Sequence, residues 1–419
     1  MRKIFWFLLG AALIGASCGT LTAEDAQQHA AAGVEKAKAG DDQGALQDFD
    51  RAIELAPKEP VHYRNRAALY ARLKQWDKAI GDYNTCLSLG PENDPGIQFN
   101  RGYACLQLGR QDDALHDFDA VLHAQPDNER ALRFRAYLLA ARHQPERAID
   151  DLSTLISKYP NDLPSLKARG DAYAVTGSWA KAIADYSKAV ELNPKGTDAQ
   201  AARAVAYLHT GDKAGALRDL NAVLEARPND ADALLRRAQL CYEQGQLDPA
   251  IADYTKAIAL RPGAAELFSG RGYARLKNQD KAGALSDFNK AIQLDPKNTD
   301  YYAARTYLYE SQGDSAKAID DLGQLVAAKP GDPQLLMRRG DLYLKTNQPD
   351  KAIKDYEGVL SKEPDNALAL AGKGSATAQK GDRRGAADQL QNALKVSKDP
   401  KEQQDIRERL RQLGVGPLL

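Results

Sequence analysis

Apolar and small residues recur along the chain with a period of 34 residues, so repetition governs how the sequence is interpreted. Periods in this range are typical of solenoids that are built from stacked repeats. Ten prolines mark the period, with one interval of 35: Pro57, Pro91, Pro126, Pro160, Pro194, Pro228, Pro262, Pro296, Pro330 and Pro364. Eleven repeats follow from these marks, with first columns at Ala26, Pro60, Pro95, Glu129, Leu163, Thr197, Ala231, Ala265, Thr299, Pro333 and Ala367.

Each repeat is predicted to contain two antiparallel helices. Column 20 is alanine in every repeat, from Ala45 to Ala386, and column 8 is glycine or alanine everywhere except at Thr306. A bulky residue follows each of these alanines by four positions, on the same face of a helix. Glycines such as Gly40 and Gly109 suit the left-handed conformation that ends a first helix, and the periodic proline ends the second. The small residues would let the two helices approach each other closely.

These columns closely resemble the tetratricopeptide repeat, with small residues at columns 8 and 20, an aromatic residue often at 24 and proline at 32. The resemblance covers residues 26–398 and points to an exported bacterial member of the family. It implies an all-α fold, a right-handed superhelical solenoid of eleven antiparallel helix pairs whose first helices line a concave, peptide-binding groove. Residues 399–419 are predicted to form a capping helix and tail, because Ile406, Leu410 and Leu413 recur at helical spacing among charges.

Column 7 holds a cation where the family usually has an apolar residue, and column 23 holds an aspartate. Only the first repeat lacks the cation, with Ala32, and only the last lacks the aspartate, with Gln389. Because the exceptions lie at opposite ends, pairing each aspartate with the cation of the following repeat leaves no partner unused. We therefore predict ion pairs between repeats, such as Asp48 with Arg66. The cations are Arg66, Arg101, Arg135, Arg169, Arg203, Arg237, Arg271, Arg305, Arg339 and Lys373, and the aspartates are Asp48, Asp82, Asp117, Asp151, Asp185, Asp219, Asp253, Asp287, Asp321 and Asp355.

The charge balance argues against nucleic acid as a partner. The chain has 57 basic and 57 acidic residues, so its net field draws it neither to nucleic acid nor to an anionic membrane. A column-7 stripe that binds polyanions is the alternative to the ion pairs, and the matching aspartates disfavour it.

The N-terminus has the order of a secretory signal peptide. Arg2 and Lys3 precede an apolar run over residues 4–16 that is too short to span a bilayer. We predict a signal peptide at residues 1–23 with cleavage after Ala23. The alternative is lipidation at Cys18, since the run Ala16-Ser17-Cys18 resembles the lipobox of bacterial lipoproteins. Either route implies an exported protein, periplasmic or anchored by lipid to the cell envelope.

No residue pattern indicates catalysis, so the chain is not expected to be an enzyme. The six histidines lack the spacing of metal ligands, and no nucleophile motif or phosphate-binding glycine loop is present. We therefore expect no metal and no cofactor. Cys86, Cys105 and Cys241 occupy mostly apolar columns, which favours buried thiols. A disulfide between Cys86 and Cys105 remains open at this point.

The resemblance implies that columns 2, 5, 9, 12 and 13 face the groove, and these columns vary between repeats. In repeats 1–5 they are mainly basic, and in repeats 6–11 mainly acidic. The partner-binding candidates among first-helix residues are Arg64, Phe99, Asn100, Tyr103, Arg130, Arg133, Tyr137, Lys167, Tyr242, Tyr273 and Tyr307. Aromatic residues and arginines dominate interface energetics. The tyrosines have an alternative role in packing between adjacent first helices.

Two further alternatives concern what the groove binds. Arg64, Asn100 and Arg130 stand in columns where some members of the family clamp a C-terminal carboxylate, but Ala68 and Phe134 replace two other polar residues of that clamp. The leading hypothesis is a scaffold that holds an extended or helical segment of a partner protein. The rival is an accessory subunit that binds envelope polysaccharide or peptidoglycan by stacking sugars on groove aromatics.

Overall fold

The computed structural model describes residues 21–90 and 94–414, apart from the side chains of Leu21 and Thr22. Nearly all of the predicted signal peptide, including Cys18, lies outside the described residues, and so does Pro91. All regular secondary structure in the described ranges is helical.

Each repeat forms a helix pair. The first helices are α1 (Leu21–Ala39), α3 (Pro60–Arg72), α5 (Pro95–Gln107), α7 (Glu129–Ala141), α9 (Leu163–Val175), α11 (Thr197–Thr210), α13 (Ala231–Glu243), α15 (Ala265–Lys277), α17 (Thr299–Gln312), α19 (Pro333–Lys345) and α21 (Ala367–Gln379). The second helices are α2 (Asp42–Leu55), α4 (Trp76–Leu89), α6 (Gln111–Ala124), α8 (Pro145–Lys158), α10 (Trp179–Leu192), α12 (Lys213–Ala226), α14 (Leu247–Leu260), α16 (Lys281–Leu294), α18 (Ser315–Ala328), α20 (Pro349–Leu360) and α22 (Arg383–Val396). One more helix, α23 (Pro400–Gln412), follows the last pair.

The chain divides into two compact units, residues 1–219 and residues 220–419. In the first unit, helix pairs pack in sequence from α1 onwards, and the largest cluster of buried side chains extends from Ile80 to Leu155. In the second unit, α23 packs on the last pair, where Ile406 and Leu410 are buried against Leu390 and Ala371. The predicted all-α fold of eleven helix pairs and a final capping helix is confirmed.

The helix boundaries follow from local chemistry. Asp94, Asn128 and Asp162 precede first helices, and their side chains accept hydrogen bonds from the free backbone N–H groups of the first turn. Column 15, between the two helices, has a positive φ in every repeat. Seven of these residues are glycine, as predicted. The other four are Lys74, His143, Gln279 and Asn347, so the turn geometry is retained without glycine.

The small columns allow close approach of the two helices, as predicted. All eleven column-20 alanines have no exposed surface, and the column-24 residues are buried beside them. Gly170 shows why column 8 is small: a Cβ there would lie 2.6 Å from the Cε1 atom of Tyr186. Overpacking of this kind is destabilising, which explains the restriction.

The ion pairs form within repeats, so the prediction of pairs between repeats is wrong. Each interior arginine of column 7 makes two parallel hydrogen bonds to the aspartate 16 residues later in its own repeat. In Arg135, for instance, Nε lies 2.9 Å and Nη2 lies 2.6 Å from the two carboxylate oxygens of Asp151. The same geometry joins Arg66 to Asp82, Arg101 to Asp117, Arg169 to Asp185, Arg203 to Asp219, Arg237 to Asp253, Arg271 to Asp287, Arg305 to Asp321 and Arg339 to Asp355.

Pairing within repeats leaves Asp48 and Lys373 without a column partner, and both charges pair with other residues instead. Asp48 of the first repeat lies 2.7 Å from the Nζ atom of Lys36 and 3.2 Å from Nδ1 of His29. At the other end, Lys373 lies 2.9 Å from a carboxylate oxygen of Glu357. The end residues therefore could not decide between the two pairings.

A link between repeats does exist, but it uses column 25. The Nη1 atom of Arg135 donates to Asp119 of the preceding repeat at 2.7 Å. Other column-7 arginines donate in the same way to Asp50, Asn84, Ser153, Ser187, Asn221, Thr255 and Asn289. Gly323 is the exception, because glycine offers no side-chain acceptor to Arg339. Column 25 therefore supplies the contact between repeats that column 23 was expected to make.

Candidate functional site

The first unit has a largely apolar cleft between α7 and α9, the first helices of repeats 4 and 5. Its volume is about 430 Å³. We call it the α7–α9 cleft. Its walls come from the predicted groove columns, and its floor from small residues and one leucine of α8. The wall residues are Arg133, Tyr137, Ala140, Pro164, Asp171 and Val175, and the floor residues include Ala136, Leu152, Ala168 and Ala172.

The sequence builds this cleft by placing small residues along both helices. Ala136 and Ala140 stand one turn apart on α7, and Ala168 and Ala172 stand one turn apart on α9, so four methyl groups line the space that larger side chains would fill. Leu152, buried in α8, closes the base. The cleft is therefore a product of side-chain size on two adjacent first helices.

Two large apolar side chains at the cleft are exposed to solvent. Tyr137 is 65% exposed and Val175 is 72% exposed. The hydroxyl of Tyr137 makes no hydrogen bond within the described part of the chain. Apolar groups that remain exposed beside a concave apolar surface are typical of binding sites.

The charged residues at the cleft are paired with each other. Arg133 contacts Asp162 at 2.7 Å and Glu129 at 3.0 Å, and it also donates to the hydroxyl of Ser165 at 3.2 Å. These hydrogen bonds, the one to Asp162 above all, raise the pKa of Arg133, and the same contact lowers the pKa of Asp162. Lys167 lies 2.7 Å from Asp171. The two candidate cations are thus neutralised at the site.

Two other candidate cations of the first unit have no ion pair within the described ranges. The Nε atom of Arg64 is buried and lacks a hydrogen-bond partner there. Arg130 lies over the ring of Phe99, with 4.2 Å between its Cζ atom and the ring centre. Burial lowers the pKa of Arg130. Asn100, the third residue of the suggested carboxylate clamp, is half-buried in α5.

The predicted aromatic anchor of repeats 2–4 is largely a packing cluster. Phe99 is buried and lies 5.6 Å from Phe118 between ring centres. Tyr103 packs edge-on against Trp76 at 5.9 Å and against Phe134 at 5.3 Å. The packing alternative therefore describes Tyr103 and Phe99, while Tyr137 remains available at the surface.

In the second unit the three candidate tyrosines differ in their surroundings. Tyr242 has the Nζ atom of Lys277 at 5.0 Å from its ring centre, and Tyr273 packs edge-on against Phe288 at 5.1 Å. Tyr307 is 57% exposed. The acidic groove residues are also partly matched within the unit, since Asp232 pairs with Arg261 and Glu310 pairs with Arg338.

Cys86, Cys105 and Cys241 are free buried thiols, so the open disulfide between Cys86 and Cys105 is absent from the structure. Burial raises the pKa of both thiols to about 11, which keeps them protonated at neutral pH. Within the described residues, no group of three His, Cys, Asp or Glu side chains has metal-binding geometry. None of the described helices has the length and apolarity needed to cross a membrane.

The apolar half of the cleft is absent from the candidates predicted from the sequence. Those candidates are charged, polar or aromatic residues, whereas Ala140, Pro164 and Val175 occupy groove columns as well. His143 at the cleft was also missed. The sequence does carry a sign of this cleft, because uncharged residues occupy several groove columns in two consecutive repeats.

Curated relatives match this chain over short stretches. "Small glutamine-rich tetratricopeptide repeat-containing protein 2" of Mycosarcoma maydis is 35% identical over 86 residues, which are 20% of this chain and 24% of that protein. "Tetratricopeptide repeat protein 36 homolog" of Nematostella vectensis is 40% identical over 68 residues, 16% of this chain and 38% of that protein. The chain thus spans well under half of the length of either relative.

Solved structures show similar helix-pair folds at low identity. YrrB, described as a TPR protein with an unusual peptide-binding site, is 22% identical, with a TM-score of 0.40 and coverage of 45% of this chain and 97% of that one. MamA from Desulfovibrio magneticus RS-1 is 25% identical, with a TM-score of 0.39 and coverage of 40% and 95%.

Models of the tetratricopeptide repeat match several segments of the chain. One matches residues 99–162, 167–231 and 269–333, a second matches 309–371, and a model described as TPR repeat matches 238–279. Together these segments cover more than half of the chain, and the helix pairs follow the same period, so the chain belongs to the tetratricopeptide repeat family.

Proposed function

We propose that this protein is an extracytoplasmic scaffold that holds an extended or helical segment of a partner protein against its first helices. Members of the family are generally protein–protein interaction scaffolds, which supports the class. The observation that carries the proposal for this chain is the α7–α9 cleft, with Tyr137 and Val175 exposed at its walls. Folding leaves these side chains in water, and a bound segment would remove them from it.

The groove columns contribute two kinds of contact in this proposal. The α7–α9 cleft supplies apolar surface. Arg64 and Arg130, which lack ion pairs in the described ranges, supply hydrogen-bond donors for acidic groups or carbonyl oxygens of the same partner segment. No step of this function requires a cofactor, a metal or a reaction.

Photocrosslinking tests the location of the partner. A benzophenone amino acid replaces Tyr137 in one variant and Tyr159 in a control, because Tyr159 is also exposed but follows α8 and lies away from the cleft lining. Irradiation of intact cells is expected to give a discrete protein adduct at position 137 and none at position 159. Equal adducts at both positions, or none at position 137, would contradict the proposal.

The glycan alternative is tested by a separate binding measurement. Among the groove aromatics of repeats 2–4, Tyr103 is packed between Trp76 and Phe134, whereas Tyr137 is exposed. Retention of the purified chain on peptidoglycan or envelope polysaccharide, lost on Tyr137→Ala, would favour that alternative over a protein partner.

The proposed export rests on the N-terminal charge and apolar run. The measurement is the intact mass of the mature chain together with its fractionation. A mass that begins after Ala23, or one that carries lipid at Cys18, is expected. A chain that retains Met1 to Ala23 and fractionates with the cytosol would overturn the extracytoplasmic part while leaving the scaffold proposal in place.

A further inference from the structure

We infer that the α7–α9 cleft selects an uncharged apolar side chain of the partner, rather than a carboxylate or a cationic group. This inference rests on the proposed function and names the chemistry of the segment that the site binds. It follows from how the polar groups of the lining are already used.

The guanidinium of Arg133 has little hydrogen-bonding capacity left. Its Nη1 atom donates to Asp162 at 2.7 Å and to the Ser165 hydroxyl at 3.2 Å. Its Nη2 and Nε atoms donate to one carboxylate oxygen of Glu129, at 3.0 Å and 3.2 Å. An incoming carboxylate would have to displace one of these two acids, so it would exchange an existing ion pair for an equivalent one.

The carboxylate on the opposite wall is used in the same way. One oxygen of Asp171 lies 2.7 Å from the Nζ atom of Lys167. The other oxygen accepts a hydrogen bond from the hydroxyl of Tyr186 at 2.9 Å. A cationic side chain of a partner would therefore meet an acid that already has two partners.

The remaining lining is mostly apolar. Apart from Ser165 and the exposed His143, its residues are alanine, proline, leucine, valine and tyrosine. A charged group that entered this surface would lose its hydration and gain at most the exposed His143 ring and the Tyr137 hydroxyl as new partners, which is unfavourable. An apolar side chain would lose unfavourable contact with water instead.

The cleft is large enough to take a bulky apolar side chain of a longer segment. A volume of about 430 Å³ lies in the lower part of the range of about 300–1,000 Å³ that is typical of ligand pockets. Leucine, phenylalanine and similar side chains of a longer segment fit this description, with the rest of the segment lying along the first helices.

Selection from a random peptide library tests this chemistry without knowledge of the natural partner. Short random peptides, displayed with no free C-terminal carboxylate, are selected on the purified full chain. The enriched sequences are then made with blocked ends and a fluorescent label, and their binding is measured by fluorescence polarisation. We expect an aliphatic or aromatic residue to be common to them, with no required acidic or basic residue.

Four variants locate the binding. Val175→Asp places a charge in the cleft and is expected to weaken binding at least about tenfold, and Tyr137→Ala by about fivefold to tenfold. Tyr159→Ala is the matched control, because Tyr159 is an exposed tyrosine of the first unit that is neither a cleft residue nor a partner-binding candidate. That control, and a change from about 0.05 M to about 0.5 M salt, are expected to alter affinity by less than about twofold. Arg130→Ala removes a proposed donor outside the cleft, so it is expected to weaken binding less than Tyr137→Ala does and to leave the preference for an apolar residue unchanged.

The outcomes separate this inference from the proposed function. Enriched peptides that require Asp or Glu, weaken with salt and lose binding on Arg130→Ala would overturn the apolar selection while supporting a peptide-binding groove. Failure to select any peptide, or peptides that bind all four variants equally, would overturn both. Enrichment of sequences that match the apolar C-terminal residues 415–419 of this chain would identify a second copy as the occupant and contradict a separate partner.

Discussion

Two arginines of α7, only two residues apart, illustrate two different uses of charge in this protein. Arg135 points to the helix-pair interior, where it makes a parallel double hydrogen bond to the buried Asp151 and a third bond to Asp119. Arg133 lies at the α7–α9 cleft and pairs with the partly exposed Asp162 and Glu129. Both guanidinium groups have their hydrogen-bond donors largely occupied, yet only the arrangement of Arg135 recurs from repeat to repeat.

That difference separates the scaffold from the recognition surface. The Arg135 geometry is repeated in nine repeats with the same spacing of 16 residues, as expected for a contact that defines how two helices dock. Groove charges instead find different partners in different repeats, for example Asp162 for Arg133 and Arg338 for Glu310. Residue type alone therefore does not identify a binding cation, and its pairing must be known.

Breaking a buried pair should have the largest effect. Asp151→Ala leaves Arg135 without its main partner inside the helix pair and is expected to lower the free energy of unfolding of repeat 4 by about 3–5 kcal/mol. Amide hydrogen exchange of α7 and α8, together with urea unfolding, measures this loss. Asp150→Ala is the matched control, since Asp150 is exposed beside it, and it should change stability by less than about 0.5 kcal/mol. Equal effects of the two variants would contradict a stabilising role for the buried pair.

Enlarging a small residue at the helix crossing should have the next largest effect on the free energy of unfolding. Gly170→Ala forces a Cβ to within 2.6 Å of the Tyr186 ring and is expected to cost about 1–3 kcal/mol of unfolding free energy. Gly81→Ala, inside α4 where a Cβ meets no atom within 4 Å, should instead stabilise by about 0.5–1 kcal/mol. Urea unfolding of both variants measures the contrast, and a loss of stability in both would show that the crossing is not the cause.

Restoring the missing acceptor of column 25 should give a smaller gain. Gly323→Asn offers Arg339 the side chain that Asn289 offers to Arg305, and it also replaces a helical glycine. We expect stabilisation of about 1 kcal/mol in thermal or urea unfolding. Gly323→Ala is the control that supplies only the helix propensity. If the two variants are equally stable, column 25 makes no contribution to the contact between repeats.

The smallest expected effect depends on pH. The hydrogen bond from Arg133 holds the pKa of Asp162 below its ordinary value, so the folded chain binds that proton more weakly than the unfolded chain does. Its contribution is therefore fully present above the ordinary pKa and is lost as the pH falls through the lowered one. Asp162→Asn keeps the helix cap but removes the charge, and it should cost about 0.5–1 kcal/mol at pH 7, with a cost that shrinks as the pH falls below the ordinary pKa of an aspartate. A difference that grows on acidification would contradict this assignment.

Most of the fold could be predicted because its determinants are local and repeated. Alanine at column 20 and the periodic proline predicted the helix pairs, and seven glycines predicted the turn at column 15. The ion-pair direction could not be predicted from the end residues, because Lys36 of the first repeat and Glu357 of column 25 replaced the missing partners. Which residues replace a missing partner depends on which side chains lie close together in the folded chain.

The candidate site was predictable only in part. The groove columns brought Arg133, Tyr137 and Asp171 to one cleft, where they meet Val175. The sequence could not show that Arg133 is already neutralised, or that Tyr103 is used for packing, because both depend on neighbouring helices. Column position indicates which side chains face the groove, but the availability of each one depends on its contacts.

An alanine scan of α7, with unfolding and binding of one selected peptide measured on every variant, tests the division between scaffold and recognition most directly. The account predicts two sets that do not overlap. Arg135→Ala and Leu138→Ala should lose about 2–5 kcal/mol of unfolding free energy, whereas Tyr137→Ala should lose binding with a stability change below about 0.5 kcal/mol. A Tyr137→Ala variant as unstable as Leu138→Ala, with unchanged binding per folded molecule, would contradict the account.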